Sequence, residues 1–339
     1  MNKNQITIKD VARDADVSIA TVSRVINNQD KVRPETVQKI KASMEKLNFY
    51  PNALGRNLRK MESRMILIIL PSISNPFFSQ IVDGMGEIAM NNGYNIMICP
   101  TKFQTNAQKR YMNLIATRQA EGAVFLASEP QDREIVNLCE QYPVLQCGDY
   151  NEKLDLPRIS INNRLAAYQV TKYLLDMGHT RVGFIGSVNN SVSSVLRLEG
   201  YQDALAEAGI EQDNSIIAYA DSDYSYNSAG AVVRRMLSMP DRPTAIFAIS
   251  DIMAIAAVNV AKEMGFGVPA DISIFGFDDI EMASMTEPKI SSVNQSNYIM
   301  GKRAMGMLLD ILGGKELSER QVYVEHQLLI RGSTGAVKK

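Results

Sequence analysis

The sequence is short of the residues that enzymes and secreted scaffolds depend on. Three cysteines in 339 residues, Cys99, Cys139 and Cys147, are too few and too irregularly spaced for a disulfide framework and fit a reducing cytoplasm. Its two histidines, His179 and His326, stand apart from any nucleophile motif or metal-ligand spacing, so structural or surface roles are expected of both. No P-loop is present. The string Gly84-Met85-Gly86-Glu87-Ile88-Ala89 matches the dinucleotide fingerprint, but it lies inside a helical pattern, about a dozen residues past the strand it would have to follow. Packing glycines are expected there, and no cofactor. The acidic run Phe277-Asp278-Asp279-Ile280-Glu281 has no second carboxylate cluster or histidine pair to complete a cation shell, so no metal is expected and hydrogen bonding to a ligand explains it better. No apolar run reaches the roughly 18 residues of a membrane span. Residues 1–9 are polar, without the apolar core of a secretory signal.

Net charge is also nearly absent, at −1, but this value conceals a split. Residues 1–60 hold 12 Lys and Arg against 6 Asp and Glu, which is +6, and the rest of the chain carries −7. A cationic front end is an electrostatic footprint for a polyanion, because each phosphate it neutralises releases counterions. Within it, Ile8, Val11, Ala12 and Ala15 repeat at helical spacing, Asp16-Val17-Ser18 interrupts them, and Ile19, Val22, Val25 and Ile26 resume. Thr7 with Asp10 resembles a capping box, and Ser18 is placed to cap the second helix. A third helix is expected over 34–47, with Pro34 in its first turn. Taken alone, this pattern equally suits a helical hairpin with a solvated basic face. The segment Tyr50-Pro51-Asn52-Ala53-Leu54-Gly55-Arg56-Asn57-Leu58-Arg59-Lys60 adds exposed leucines and cations on a stretch too short to be a stable helix by itself. It reads either as a plain linker or as a segment that folds on DNA, with Leu58 wedged between base steps of the minor groove.

After residue 61, strand-like apolar runs alternate with helical patterns, which predicts parallel sheets covered by helices on both faces. Strands are expected at 65–70, 94–99, 122–126 and 144–147, then at 181–185, 216–219, 245–249, 273–277 and 322–330. Helices are expected near 77–92, 107–118, 132–141, 163–177, 195–208, 227–237, 252–264 and 297–312. Ligands of such sheets bind beyond the carboxyl ends of the strands. Those ends carry Asn75, Phe77, Phe78, Asp149, Asp251 and Asp278, and Arg197 lies in a helix region behind another of them. Carboxylates there accept hydroxyl protons, a guanidinium donates a fork of N–H bonds, and the two rings suit stacking on a sugar or base, although taken alone a core position at a helix start suits them better.

The residues VARDADVSIATVSRVINN, the linker NFYPNALGRNLRK and the stretch SDIMAIAAVNVAKEMGFGVPADISIFGFDD resemble the LacI/GalR family of transcriptional regulators over essentially the whole chain. GRNLRKMESRMILIILPSISNPFFS, the RLEGY segment and LIRGST most resemble its cytidine-repressor branch. The resemblance implies a helix-turn-helix headpiece at 1–50, a hinge helix at 51–61, and a two-lobed periplasmic-binding-protein-like α/β core at 62–339. Its first lobe would take about 62–162 and 294–321 and its second about 163–293 and 322–339, with crossings near 161–163, 291–295 and 320–323. By the same resemblance, Ile19, Ala20 and Arg24 face base edges and Thr21, Ser23 and Asn27 lie near phosphates. Thr7, Ser18, Tyr50 and Asn52 join the DNA-contacting set, and Leu58 takes the intercalating position. The effector positions would be Asn75, Phe77, Phe78, Asp149, Ser193, Arg197, Asp251, Asp278 and Gln295. Two residues depart from the pattern: Arg33 stands where the family has a small capping hydroxyl, and Gly55 replaces a commoner alanine in the hinge.

The function expected is therefore a cytoplasmic, non-enzymatic repressor, homodimeric because one helix-turn-helix reads few bases. Its partners are a pseudo-palindromic double-stranded operator and a small sugar or nucleoside effector, with no membrane involved. No leucine heptads follow Ile330, which favours a dimer over a tetramer. The competing readings are a sugar-binding protein without a regulatory role and a Rossmann-like enzyme. Replacing Arg197 or Asp278 with alanine is expected to abolish the ligand response and leave folding of the empty protein intact.

Overall fold

The computed structural model describes residues 6–26, 32–49, 63–126, 133–189 and 191–337. They belong to two compact units, Met1–Glu62 and Ser63–Lys339. Asn27, Tyr50, Asn52, Leu58 and the hinge expected at 51–61 lie outside the described residues.

The smaller unit contains α1 (Ile8–Asp14), α2 (Ile19–Ile26) and α3 (Pro34–Lys46). Asp10 accepts from both the Thr7 N–H (2.9 Å) and the Thr7 hydroxyl (2.7 Å), which fixes the start of α1. Asp16 makes the turn with φ +51°, a left-handed conformation that Asp tolerates better than most residues. The Thr21 N–H then donates to Ser18 Oγ at 3.1 Å, the cap expected for α2. Pro34 opens α3, and Arg33 before it supplies no side-chain cap, as its departure from a capping hydroxyl implies. Val11, Ala12, Ala15, Val22 and Ile40 close the small core.

The larger unit has two parallel sheets. Strands β1 (Met65–Leu70), β2 (Asn95–Pro100), β3 (Gly122–Leu126), β4 (Val144–Cys147) and β5 (Arg158–Ile161) form the first, joined by the late strand β11 (Gln321–Val324), in the order β11-β5-β4-β3-β1-β2. Helices α4 (Phe77–Asn91), α5 (Thr105–Ala116) and α6 (Arg133–Gln141) connect its strands. The second sheet runs β7-β6-β8-β9, from β6 (Val182–Ser187), β7 (Ile217–Ala220), β8 (Ala245–Ala248) and β9 (Ser273–Phe275). Its helices are α7 (Asn163–Asp176), α8 (Val192–Glu207), α9 (Tyr226–Leu237) and α10 (Asp251–Glu263). Strand β1, MILIIL, is buried along nearly its whole length, as a parallel strand covered on both faces must be.

Two short strands escape the sequence pattern, β5 and β10 (Ser292–Asn294). The single strand expected over 322–330 is two, because Glu325 and His326 interrupt it: β11 stays in the first sheet, and β12 (Gln327–Leu329) pairs antiparallel with β10. The chain thus leaves the first sheet for the last time after Val324, slightly later than the family resemblance implies.

Gly84 lies at a helix crossing. A Cβ there would overlap the Tyr298 carbonyl oxygen, and one at Gly301 would overlap that of Ile81, so α4 and α11 (Asn297–Leu312) approach backbone to backbone. Of the two fingerprint-like glycines, Gly84 thus serves packing, whereas a Cβ at Gly86 would meet only the Ile96 side chain at an ordinary 3.6 Å. Gly301→Ala should therefore destabilise the core by about 1–3 kcal/mol, the usual range for overpacking. It would appear in denaturant melts as a lower midpoint at unchanged slope, and an unmoved midpoint would contradict the close crossing.

Candidate functional site

Helix α2 is anchored by Val22, which is fully buried, and it leaves Ser18, Ile19, Ala20 and Arg24 exposed, with Thr21 and Ser23 half-buried. Ile19 keeps 46% of its surface in solvent beside an assembled apolar core, so hydrophobic packing within the unit does not account for it. Thr7 is exposed and already engaged with Asp10.

The second group of residues gathers where the two sheets present their carboxyl ends. Arg197, on α8, is 7% exposed. Its Nε donates to Asn163 Oδ1 (2.9 Å), its Nη1 to the Ile249 carbonyl (2.6 Å), and its plane lies 3.6 Å from the centre of the Phe277 ring. Asp278 Oδ1 stands 3.9 Å from Nη1 and accepts from Gln295 Nε2 at 2.7 Å. Burial pushes the Asp278 carboxyl up to about 7, partly offset by Arg197, by Gln295 and by the Asp251 amide. Burial likewise raises Asp149 and pulls the Arg197 guanidinium down.

Asp149, just past β4, ties the two lobes together. Its Oδ1 accepts from the Ser193 N–H at 3.1 Å and its Oδ2 from the Ser193 hydroxyl at 3.3 Å, so a carboxylate of the first lobe holds the first turn of a second-lobe helix. That position is favourable, because the opening turns of α8 present unpaired N–H groups and the positive end of the helix dipole. Ser193 is thus brought to the cluster despite the crowded register of its loop.

Asp278 and Asp279 have φ of +108° and +52°, a rare pair for non-glycine residues, and they are held from several sides. The Asp278 N–H donates to Val293 O and the Asp279 N–H to Ser292 Oγ, each at 3.0 Å. Asn294 Nδ2 and Arg331 Nη2 reach the Asp279 carboxylate at 2.7 and 2.6 Å. Strand β10, one of the lobe crossings, therefore sets where Asp278 points.

Asp251 occupies a different layer. It is fully buried, its Oδ1 accepting from Ser292 Oγ (2.7 Å) and its Oδ2 from the Ile280 N–H (2.9 Å). Both oxygens are committed to protein donors beneath Asp278, which makes Asp251 a support for the turn. The aromatic pair also divides: Phe78 is buried in the core and Phe77 is half-buried, in edge-to-face contact at 5.2 Å and beside Gly148. Asn75 Oδ1 accepts from the Phe77 N–H at 3.0 Å and so helps to start α4.

Sequence reasoning missed Asn163, the partner of Arg197, and Tyr224, whose hydroxyl lies 3.1 Å from Ser194 Oγ. It missed Asn297 as well, which donates to the Asp278 carbonyl at 3.0 Å. Each is a lone polar residue without a motif; the only available signal was position, since Asn163 opens an expected helix and Asn297 follows closely on Gln295. Elsewhere, burial pushes the thiols of Cys99 and Cys139 up to about 12, so both remain protonated and unreactive. His179 is buried between Thr244, Ser273 and the Gly335 carbonyl, each at 3.0 Å, a structural role. Among the described residues, no His, Cys, Asp and Glu are grouped to hold a metal, and no helix is long and apolar enough to cross a membrane.

Comparison with known proteins agrees with this architecture in both units. The model for bacterial regulatory proteins of the lacI family matches residues 7–52, and a periplasmic binding protein-like domain matches residues 171–334. The HTH-type transcriptional repressor CytR of Escherichia coli (strain K12) is 36% identical over 332 residues, covering 98% of this chain and 97% of the relative. Catabolite control protein A of Priestia megaterium is 31% identical over 97% of this chain and 99% of its own. The lac repressor dimer bound to operator and the anti-inducer ONPF superposes with a TM-score of 0.88 at 26% identity, covering 98% of this chain and 100% of that one. These relatives regulate transcription, and the likeness extends from the DNA-reading helices through both lobes. The chain belongs to the LacI family of bacterial regulatory proteins.

Proposed function

We propose that this regulator is a cytoplasmic, homodimeric repressor whose hold on a pseudo-palindromic operator is set by a nucleoside or sugar bound between the lobes. The observation that carries this reading is the exposed face of α2 on a sealed three-helix core. Ile19 and Ala20 offer apolar contact to thymine methyl groups, and Arg24 offers a fork to guanine. Residues 1–50 form the headpiece, with Thr7, Ser18, Thr21, Ser23, Asn27, Tyr50 and Asn52 on or near the backbone. Residues 51–61 fold in the minor groove around Leu58.

The test is fluorescence anisotropy on fragments selected from genomic DNA, against random duplex, over a range of salt. Selected fragments should bind preferentially, with affinity falling steeply as salt rises. Arg24→Ala should reduce discrimination between the two DNAs by about 1–3 kcal/mol, and equal loss on both would show that Arg24 contacts phosphate only.

Dimerisation is supported by the edge of the first sheet. Strand β2 is an edge strand with Met97 and Ile98 exposed, and Phe103 just beyond it is 51% exposed. Unpaired apolar edges are ordinarily covered in a stable protein. A double change, Met97→Glu with Ile98→Glu, is expected to yield monomers in sedimentation equilibrium and to weaken operator binding; a variant that remains dimeric would move the interface elsewhere.

Ligand control follows from linkage. An effector in contact with Asp149, Ser193, Arg197 and Asp278 engages both lobes, and it shifts the protein between DNA-binding states only by its differential affinity for them. Asn75, Phe77 and Gln295 complete the ligand's surroundings, with Phe78 packed in the core against Phe77 and Asp251 supporting the Asp278 turn from below.

A further inference from the structure

Asn297 opens α11 where the chain returns to the first lobe, and it is only 4% exposed. Its Nδ2 donates to the Asp278 carbonyl at 3.0 Å, and its Oδ1 is buried without a donor. An acceptor removed from water and left unpaired costs about 1–3 kcal/mol, and most such groups in native proteins have partners. Turning the amide over gives no relief, since it would set an oxygen against the Asp278 carbonyl. The corner around it already contains the Asp278 carboxylate and its donor Gln295, and a donor carried by a ligand beside them would supply the missing partner.

The same corner is ill suited to an anion. Arg197 is the cation beside Asp278, Arg331 being paired with Asp279. Two of its five N–H donors are held by Asn163 and the Ile249 carbonyl, and its face is stacked on Phe277, so its charge and part of its donor set are already committed within the protein. The Asp149 and Asp278 carboxylates both act on its charge.

We propose that Asn297 contacts the effector by accepting a hydrogen bond from a ligand hydroxyl or amine, and that the cleft accordingly takes an unphosphorylated, donor-bearing effector and rejects its phosphate ester. This rests on the cleft being the effector site, as set out under the proposed function.

The test uses the full-length protein. Thermal melting is measured with cytidine, uridine, adenosine, ribose and glucose, and with the corresponding monophosphates; calorimetric titration follows with the best neutral probe and with analogues lacking one hydroxyl or amine. A neutral probe should raise the melting temperature, and its monophosphate should bind at least about tenfold more weakly. Asn297→Leu should cost about tenfold in affinity for the neutral probe, equivalent to about 1.4 kcal/mol. One analogue should lose a similar factor on the parent protein and nothing further on Asn297→Leu, a coupling that a merely structural role would not produce. If Asn297→Leu folds poorly, Asn297→Ser takes its place in the same cycle, and the comparison of neutral probe with monophosphate on the parent protein stands independently of either variant. A monophosphate that binds as well as its neutral probe, or analogue losses that simply add to the variant's, overturns the inference and leaves the effector site standing. A panel in which nothing shifts the melting overturns the effector reading and the inference together.

Discussion

Arg197→Ala should lower the stability of the ligand-free protein by about 3–5 kcal/mol as well as abolish its response to ligand, because it leaves buried acids without their cation. From sequence, Arg197 is a fork waiting for an effector, and its loss would be silent in the empty protein. The structure assigns it a second role. The guanidinium ties α8 to Asn163 at the start of α7 and to the Ile249 carbonyl past β8, and it covers Phe277 in the floor of the second lobe. Removing it strands the Ile249 carbonyl and Asn163 Oδ1 and opens a hole over an aromatic ring. The ligand-free melt in guanidinium should therefore shift to a lower midpoint. Arg197→Lys, which retains charge but not the planar fork, should fall between the parent and Arg197→Ala. A fully stable Arg197→Ala would mean that the cluster reorganises around the loss, and the cleft would then be far more plastic than its hydrogen bonds indicate.

Much of this architecture is legible because it is periodic. MILIIL announces a doubly covered strand, and the stripes of α2 and α3 announce a helix-turn-helix; the caps at Asp10 and Ser18 formed as their side chains imply. What escaped is short or set by tertiary contact. Strands RISI and SVN span only 4 and 3 residues and owe their existence to neighbouring strands rather than to a pattern. Glu325 and His326 split an apolar-looking segment because the chain changes sheet there, which no local preference records. Within the cleft, the acids at strand ends were visible as types but not by depth. Asp251 and Asp278 look alike in sequence, and only packing makes one a support with both oxygens engaged and sets the other beside Arg197 and Gln295. Asn163 and Asn297 carry no sequence signal beyond position, since a lone asparagine matters only through what surrounds it.

Asp278 should make both stability and ligand affinity depend on pH, in opposite directions. Its folded value of about 7 lies well above the ordinary 3.8, with burial as the leading cause. Between those values the folded protein holds a proton that the unfolded chain has released, so the free energy of unfolding falls as pH rises from about 4 to about 7 and levels off above. At about 1.4 kcal/mol per pH unit, the window is worth on the order of 4 kcal/mol. Asp278→Asn keeps an acceptor for Gln295 and titrates nothing, so it should match the parent near pH 4 and exceed it in stability near pH 8, when denaturant melts of the two are compared. Burial raises Asp149 and Asp251 also, Asp251 with help from the Asp278 charge, so the Asp149 slope and the burial part of the Asp251 slope should remain in the variant. For a ligand the preference reverses, because a hydroxyl or amine donor interacts more strongly with the ionised carboxylate than with its acid form. Affinity for a neutral effector should therefore climb in the parent from pH 6 to pH 8 and stay nearly flat in Asp278→Asn. Tighter binding on the acid side, or the same slope in both proteins, would remove Asp278 from the ligand's contacts and leave its strained turn as an element of folding alone.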